Sequence, residues 1–256
     1  MTLFVYFIFF ILGAISASFA GVVAARFYTG QSIFTGRSRC DVCGAVLTPT
    51  ALIPLLSFIV QRGHARCCGA RLSPAAPLSE LLLGALFVLV YASVGLSSTL
   101  PIILLALIFL IVLVLYDLTH QILPPSVLTL FVLTSAAAGY LGEPSPPAFL
   151  WSLITAIALA LALAAIHLFS GGRAMGLADA PLVFGLALLT GSTALSGFLY
   201  SFWIGATIGI ILLARRPRGS RIGVEVPFAP FLAAGFLLAY FTQWNLVSYL
   251  TGLPLR

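Results

Sequence analysis

Two aspartates stand out because each lies at the edge of a long apolar run. Asp117 follows the apolar residues 100–116, and Asp179 follows Gly176-Leu177-Ala178, in a chain that has only 6 acidic residues. A carboxylate at membrane depth costs on the order of a few kcal/mol, so one that is kept there is by default a candidate for a functional site. Two of them suggest an acid–base pair.

Paired carboxylates suit hydrolysis by general acid–base catalysis. Two carboxyl groups brought close together cannot both ionise cheaply, so they share one proton, and one activates water while the other polarises a carbonyl. We expect Asp117 near the C-terminal end of its helix and Asp179 at the N-terminal end of its own. These positions favour Asp179 as the general base and Asp117 as the protonated partner. Taken singly, either aspartate is better explained as a helix cap or an interfacial residue.

The composition predicts a polytopic membrane protein with an all-α fold. Hydrophobic residues make up 61% of the 256 residues and charged residues only 7%, whereas roughly a quarter of the residues in soluble domains are charged. The first apolar run has no basic residue before it, so we expect a retained helix and not a cleaved signal peptide. Apolar runs and their boundaries predict about eight transmembrane helices, near residues 3–24, 78–96, 99–118, 125–141, 148–170, 179–195, 198–214 and 227–250.

The arginines predict how these helices are oriented. Eight crossings place four connections on one side of the membrane, at 25–77, 118–124, 171–178 and 215–226. Basic residues mark the cytoplasmic side of a membrane protein, so we expect the N-terminus outside the cell, and the net charge of +6 indicates topology and lipid contact, not nucleic-acid binding. Eleven of the 12 basic residues fall on that side: Arg26, Arg37, Arg39, Arg62, Arg66, Arg71, Arg173, Arg215, Arg216, Arg218 and Arg221.

The predicted organisation has three parts. Residues 1–24 form the first transmembrane helix, residues 25–77 form a cytoplasmic loop subdomain, and residues 78–256 form a seven-helix membrane domain that carries both aspartates. All four cysteines lie in the loop.

The cysteines of the loop predict a structural zinc site. On a reducing cytoplasmic side, zinc ligation by thiolates is more plausible than a disulfide, and structural zinc takes four N or S ligands. Adjacent cysteines seldom both bind one ion, so Cys40, Cys43 and Cys68 are the favoured ligands, with Cys67 or His64 as the fourth. Buried or free thiols are the alternative.

The motifs around the two aspartates resemble those of the bacterial type IV prepilin peptidases, which are GxGD-type intramembrane aspartyl proteases. Residues 176–179 resemble the GxGD motif, and residues 116–124 resemble the first aspartate motif of that family. Two residues depart from the pattern: Ala178 replaces the second glycine, and Pro181 replaces a basic residue. The family's loop also has a cysteine at the position of Ala65. Further matching segments are 18–26, 52–63, 77–81 and 227–231.

The resemblance implies an inner-membrane endopeptidase that cuts the leader from prepilin or pseudopilin precursors at the cytoplasmic face. Asp117 and Asp179 would be catalytic, and Gly176, Ala178 and Glu80 would contact substrate. It also implies that the N-terminal half transfers a methyl group from S-adenosylmethionine to the new N-terminus. Glu80 is otherwise expected to pair with a loop arginine.

Two other functions fit the same residues. A proton-coupled transporter also uses carboxylates near the edge of the bilayer to relay protons. A membrane methyltransferase without protease activity would keep the aspartates as relics.

Overall fold

The computed structural model describes residues 2–32, 35–40, 42–173, 175–214 and 226–244, and within these ranges the regular structure is helical. The predicted all-α fold is therefore confirmed. Short 3₁₀ turns lie at Pro49–Leu52 and Gly191–Thr193. The α-helices of the described residues are α1 (Thr2–Arg26), α2 (Leu56–Val60), α3 (Ala75–Val94), α4 (Leu100–His120), α5 (Pro125–Gly142), α6 (Pro146–Ser170), α7 (Asp179–Thr190), α8 (Ala194–Ala214) and α9 (Ala229–Thr242).

Each of the eight predicted membrane helices has a counterpart among these elements, but not all are long enough to span a bilayer alone. Within the described residues, six stretches are long and apolar enough to cross a membrane, and Asp179–Ala214 counts as one of them. The described part of α9 is shorter, with 14 residues. The predicted end of the last helix at 250 and the arginines at 215, 216, 218 and 221 lie outside the described residues.

The break between α7 and α8 lies earlier than the boundary predicted between residues 195 and 198. It falls at Gly191, whose φ of 57° is in the left-handed region that favours glycine. Ser196 and Gly197 lie inside α8 and are buried. A Cβ on Gly197 would lie 2.8 Å from the Cα of Phe236, so this glycine permits close helix packing instead of making a turn.

The chain divides into two compact units, Met1–Leu100 and Pro101–Arg256. In the first unit α1 packs against α3, and a Cβ on Gly13 would lie 2.6 Å from the Leu83 carbonyl oxygen. The ring of Phe9 stacks on that of Tyr91 with centroids 4.5 Å apart. The predicted boundaries at residues 24 and 77 both lie inside this first unit. The division into a first helix, a loop and a membrane domain stays a prediction about membrane topology.

The second unit is built around α7, a short helix in which nearly every residue is buried. Helices α5, α6 and α9 pack against it. A Cβ on Gly139 of α5 would lie 2.5 Å from the Leu188 carbonyl oxygen, and one on Gly185 of α7 would lie 2.7 Å from the Phe131 ring. Because α7 begins at Asp179, this packing fixes the position of the aspartate.

Helices α8 and α9 cross at a second point of close backbone approach. A Cβ on Gly235 would clash with the backbone nitrogen and the hydroxyl of Ser201. The Ser201 hydroxyl donates to the Gly197 carbonyl at 2.8 Å and to the Leu232 carbonyl at 3.3 Å. The crossing therefore fixes α9, whose first residue is Ala229.

We predict that Gly235→Ala lowers the thermal stability of the detergent-solubilised protein, because overpacking a close contact typically costs about 1–3 kcal/mol. The matched control is Gly209→Ala in α8, where nothing lies within 4 Å of the added Cβ. This control should leave the melting temperature unchanged or slightly raised. Equal melting temperatures for the two variants would contradict the tight crossing.

Candidate functional site

Asp117 lies in the last turn of α4 and is buried, with 6% of its surface exposed. Its Oδ2 accepts a hydrogen bond of 3.1 Å from the backbone N–H of Ala229. The first N–H groups of a helix have no partner within the helix, and the helix dipole favours a negative group at that end. The N-terminus of α9 therefore both orients Asp117 and offsets part of the cost of burying it.

Asp179 is the first residue of α7 and is also buried, with 8% of its surface exposed. Its Oδ2 accepts a hydrogen bond of 3.2 Å from the Gly176 N–H, and its own N–H donates to the Gly176 carbonyl at 3.3 Å. These two bonds close a tight turn, so the glycine before α7 holds the carboxylate against the start of the helix.

Both departures from the GxGD pattern fit this turn. Ala178 has φ −69° and ψ −15°, which is right-handed helical conformation, so its methyl group causes no backbone strain. Pro181 is in the first turn of α7, where the N–H that proline lacks would have no helical partner. The first glycine of the motif is kept, and a Cβ on Gly176 would lie 3.4 Å from Asp179 Oδ2.

The two predicted aspartates lie in the same unit of the structure. The negative charge of Asp117 acts on the carboxyl group of Asp179. Within the described ranges, neither carboxylate forms an ion pair with a basic side chain. A buried pair without a basic partner can hold a shared proton, which a surface salt bridge does not do.

The sequence did not indicate two groups that position these aspartates. The Ala229 N–H donates to Asp117. His167 Nδ1 lies 2.8 Å from the Met175 carbonyl oxygen, so this side chain supports the turn before Asp179. The two prolines that flank the start of α9 are the available sequence signal for the first group.

Glu80 lies in α3 of the other unit and is buried, with 7% of its surface exposed. Its Oε2 accepts a hydrogen bond of 2.7 Å from the Leu55 N–H. The expected ion pair with a loop arginine is absent from the described part of the chain. Leu55 has a φ of 59°, which is unfavourable for a residue with a side chain, and the bond to Glu80 stabilises this backbone conformation.

The four cysteines lie on two turns of matching geometry. The Cys40 N–H donates to the Ala45 carbonyl at 2.9 Å, and the Ala65 N–H donates to the Ala70 carbonyl at 2.7 Å. Gly44 and Gly69 have the same φ of 70° at corresponding places. Ala65 is therefore the counterpart of Cys40, and Cys68 is the counterpart of Cys43.

The sulfur atoms form a cluster that fits a tetrahedral metal ion. The Sγ atoms lie 3.8 Å apart for Cys40 and Cys68, 3.3 Å apart for Cys43 and Cys67, and 3.9 Å apart for Cys67 and Cys68. All four lie within 4.8 Å of one another. Zinc–sulfur bonds of about 2.3 Å in a tetrahedron require separations of about 3.8 Å. Both adjacent cysteines thus belong to the cluster, contrary to the expectation that they seldom share an ion.

His64, the alternative fourth ligand, is not part of this cluster. Its Nδ1 lies 2.9 Å from the Arg62 carbonyl oxygen. The displaced Cys67 supplies the sulfur that a cysteine at the position of Ala65 would otherwise provide.

The surroundings of the cluster shift the pKa values of two of its thiols in opposite directions. The backbone N–H groups of Cys43 and Val42 lower the pKa of the Cys40 thiol to about 6, because they stabilise its thiolate. Interactions with the sulfur atoms of Cys43 and Cys40 raise the pKa of the Cys67 thiol to about 12. A divalent ion would bind the four sulfur atoms as thiolates and would compensate the repulsion between their charges.

Comparison with known proteins finds relatives that are similar to this chain over most of its length. Residues 11–94 match the family model described as the Bacterial Peptidase A24 N-terminal domain. A prepilin leader peptidase/N-methyltransferase of Bacillus subtilis (strain 168) is 33% identical over 246 residues, which cover 94% of this chain and 96% of the relative. Proteins of the same name from Myxococcus xanthus (strain DK1622) and Klebsiella pneumoniae are 36% and 32% identical, covering 80% and 73% of this chain and 62% and 85% of the relatives. No solved structure matches the chain.

We predict that Cys67→Ala weakens zinc binding, because removing one of four sulfur ligands leaves the tetrahedron incomplete. The double variant Ala65→Cys with Cys67→Ala should restore it, since Ala65 occupies the position equivalent to Cys40. The measurement is zinc per chain by atomic emission after purification with a weak chelator. Full zinc content in Cys67→Ala, or no recovery in the double variant, would contradict this ligand arrangement.

Proposed function

This chain belongs to the prepilin leader peptidase/N-methyltransferase family, and we propose that it is an aspartyl endopeptidase that removes the leader from prepilin or pseudopilin precursors. The observation that carries the proposal is the buried pair of Asp117 and Asp179, two carboxyl groups within electrostatic range that lack a basic partner in the described residues.

The proposed mechanism uses the pair to activate water without a covalent intermediate. The ionised carboxylate takes a proton from water as the water oxygen attacks the peptide carbonyl carbon. The protonated partner gives its proton to the carbonyl oxygen. Collapse of the tetrahedral intermediate breaks the C–N bond, and the amine that leaves takes the proton first removed from water. One hydroxyl of the intermediate returns its proton to the deprotonated partner as the carbonyl re-forms, so the pair regains its starting state.

The roles of the two aspartates are less distinct than their helix positions suggest. The sequence favoured Asp179 as the base because it begins a helix, whereas Asp117 ends one. In the structure each carboxylate accepts one backbone N–H, from Gly176 and from Ala229. We therefore treat the proton as belonging to the pair and assign Asp179 as the base that starts the reaction.

The site is proposed to act at the cytoplasmic face of the bacterial inner membrane, with the N-terminus outside. The arginine distribution supports this orientation, since the connections before Pro125 and before Asp179 both belong to the arginine-rich side. The cysteine loop would then lie in the cytoplasm, where a structural zinc ion stabilises it and the loop helps to position the precursor. Anionic lipids are the expected contacts of the arginines at this surface.

We also propose methyl transfer to the amino group that cleavage exposes, with S-adenosylmethionine as the donor. The printed names of the relatives include this second activity. In this chain, a cavity of the first unit that contains a buried carboxylate supports it, and the cavity is described below.

We predict that Asp117→Asn and Asp179→Asn each reduce cleavage of a precursor at least about 100-fold, because an amide can neither take nor give the proton. Cleavage is measured by mass spectrometry of a purified precursor in detergent or liposomes. Glu143→Gln is the control: this acid outside the pair accepts a hydrogen bond from Ser152, and its replacement should leave the rate unchanged.

The Asn variants separate chemistry from folding, since an Asn carbonyl can still accept the N–H of Ala229 or Gly176. Their melting temperatures should therefore match that of the parent chain, and both variants should still methylate a pre-cut substrate. Normal cleavage by either variant would refute the aspartyl mechanism, and proton flux in liposomes that is lost in both would then favour a transporter.

A further inference from the structure

The first unit contains a cavity of about 580 Å³ that the proposed protease chemistry does not use. The loop after α1 forms most of its wall, and Ser18 of α1 and Glu80 of α3 complete it. Cavities of roughly 300–1,000 Å³ are the size at which proteins bind small molecules and the ends of peptides. All the residues that line this cavity lie between 18 and 80.

Glu80 is the only carboxylate among the described residues that line the cavity. Its Oε2 accepts the Leu55 N–H, and no group in the described residues donates to its second oxygen. A buried carboxylate is costly unless it is hydrogen-bonded and its charge is compensated. Arg39 and Arg66 also line the cavity, but their side chains are exposed and do not pair with Glu80 in the described part of the chain. Among the described residues, the Glu80 carboxyl group therefore has no basic side chain as a partner.

The lining indicates what kind of cation fits. One carboxylate is too few ligands for calcium or magnesium, which need several oxygen atoms. The lining of the cavity also includes the apolar residues Ile53, Leu56 and Leu72. An ammonium group attached to an apolar body matches both parts of this lining, since the charge meets Glu80 and the body displaces water from the apolar wall.

We infer that this cavity binds the free α-amino group of a peptide chain, with Glu80 as the residue that orients the amine and accepts its proton. The inference rests on the methyl transfer proposed above in one respect, which is that the bound amine is the N-terminus produced by cleavage. It assigns that second activity to a specific residue and cavity.

The role of Glu80 follows from the chemistry of an amine. An α-amino group is largely protonated at neutral pH, because its pKa is about 7.7–8.0, and a protonated nitrogen has no free electron pair. Glu80 accepts one proton, and the nitrogen then attacks the methyl carbon of a sulfonium donor. The N–C bond forms and the C–S bond breaks, its electron pair stays on sulfur, and the products are a methylammonium group and a thioether.

Glu80→Gln tests the charge of this residue separately from its structural bond. The Gln carbonyl can still accept the Leu55 N–H, so the loop keeps its anchor while the negative charge is lost. Glu80→Ala removes both and reports the effect of releasing the loop. Both variants are made in the full chain with Asp179→Asn, so that bound peptides are not cut.

The direct readout is peptide binding without turnover. The probes are a hexapeptide amide with a free amino group and an apolar first residue, and the same peptide acetylated at its N-terminus. We expect acetylation to weaken binding about tenfold in the parent chain, in line with the loss of a charge-assisted hydrogen bond. Glu80→Gln should bind both probes equally, at the weaker affinity. An undiminished preference of Glu80→Gln for the free amine would overturn the inference, as would the absence of a preference in the parent chain.

A second readout distinguishes this inference from the proposed function. With Asp179 intact, Glu80→Gln should lower the ratio of methylated to cleaved product at least about tenfold relative to the parent chain. Equal methylation by Glu80→Gln and the parent would overturn the role of Glu80 and leave the protease proposal standing. Failure of Asp179→Asn to abolish cleavage would refute the protease proposal. The binding measurements on Glu80→Gln would still test the role of Glu80, because they do not depend on cleavage.

Discussion

The constraint on which the second unit depends is the cost of burying carboxylates that have no basic partner in the described residues. Helix ends offset part of that cost. Asp117 accepts the Ala229 N–H at the start of α9, and Asp179 accepts the Gly176 N–H at the start of α7. Because backbone N–H groups and not arginine side chains bind these carboxyl groups in the described residues, the pair can still gain or lose a proton.

This solution requires the helices to be placed accurately, and the glycines of the unit provide that placement. Gly139 and Gly185 bring α5 and α7 into contact, and Gly235 brings α9 onto Ser201 of α8. Gly139 and Gly235 are distant from both aspartates in sequence, whereas Gly185 lies on the helix that Asp179 begins. They nevertheless determine where α7 and α9 begin, and thus where the two donor groups lie. The packing of the membrane domain therefore also determines the geometry around the two aspartates.

Local patterns in the sequence predicted the helices, the two aspartates as single candidates and the metal cluster, because each of these depends on residue type and short spacing. They could not predict interactions between distant segments. The bond from Ala229 to Asp117 joins two helices that no periodicity connects, and the bond from Leu55 to Glu80 uses a backbone donor that every residue has. The helix break at Gly191 was missed because glycine in a membrane helix also serves close packing, as Gly197 does.

The matching turns of the cysteine loop bear on how relatives of this chain are recognised. The second turn keeps its hydrogen bonds and its glycine but carries alanine at the first ligand position, and the missing sulfur comes from Cys67, two places later in the chain. A ligand can therefore migrate along a turn without loss of the cluster. A search pattern that demands two regular CxxC pairs would discard sequences of this kind, whereas one that scores the turn and counts sulfurs would retain them.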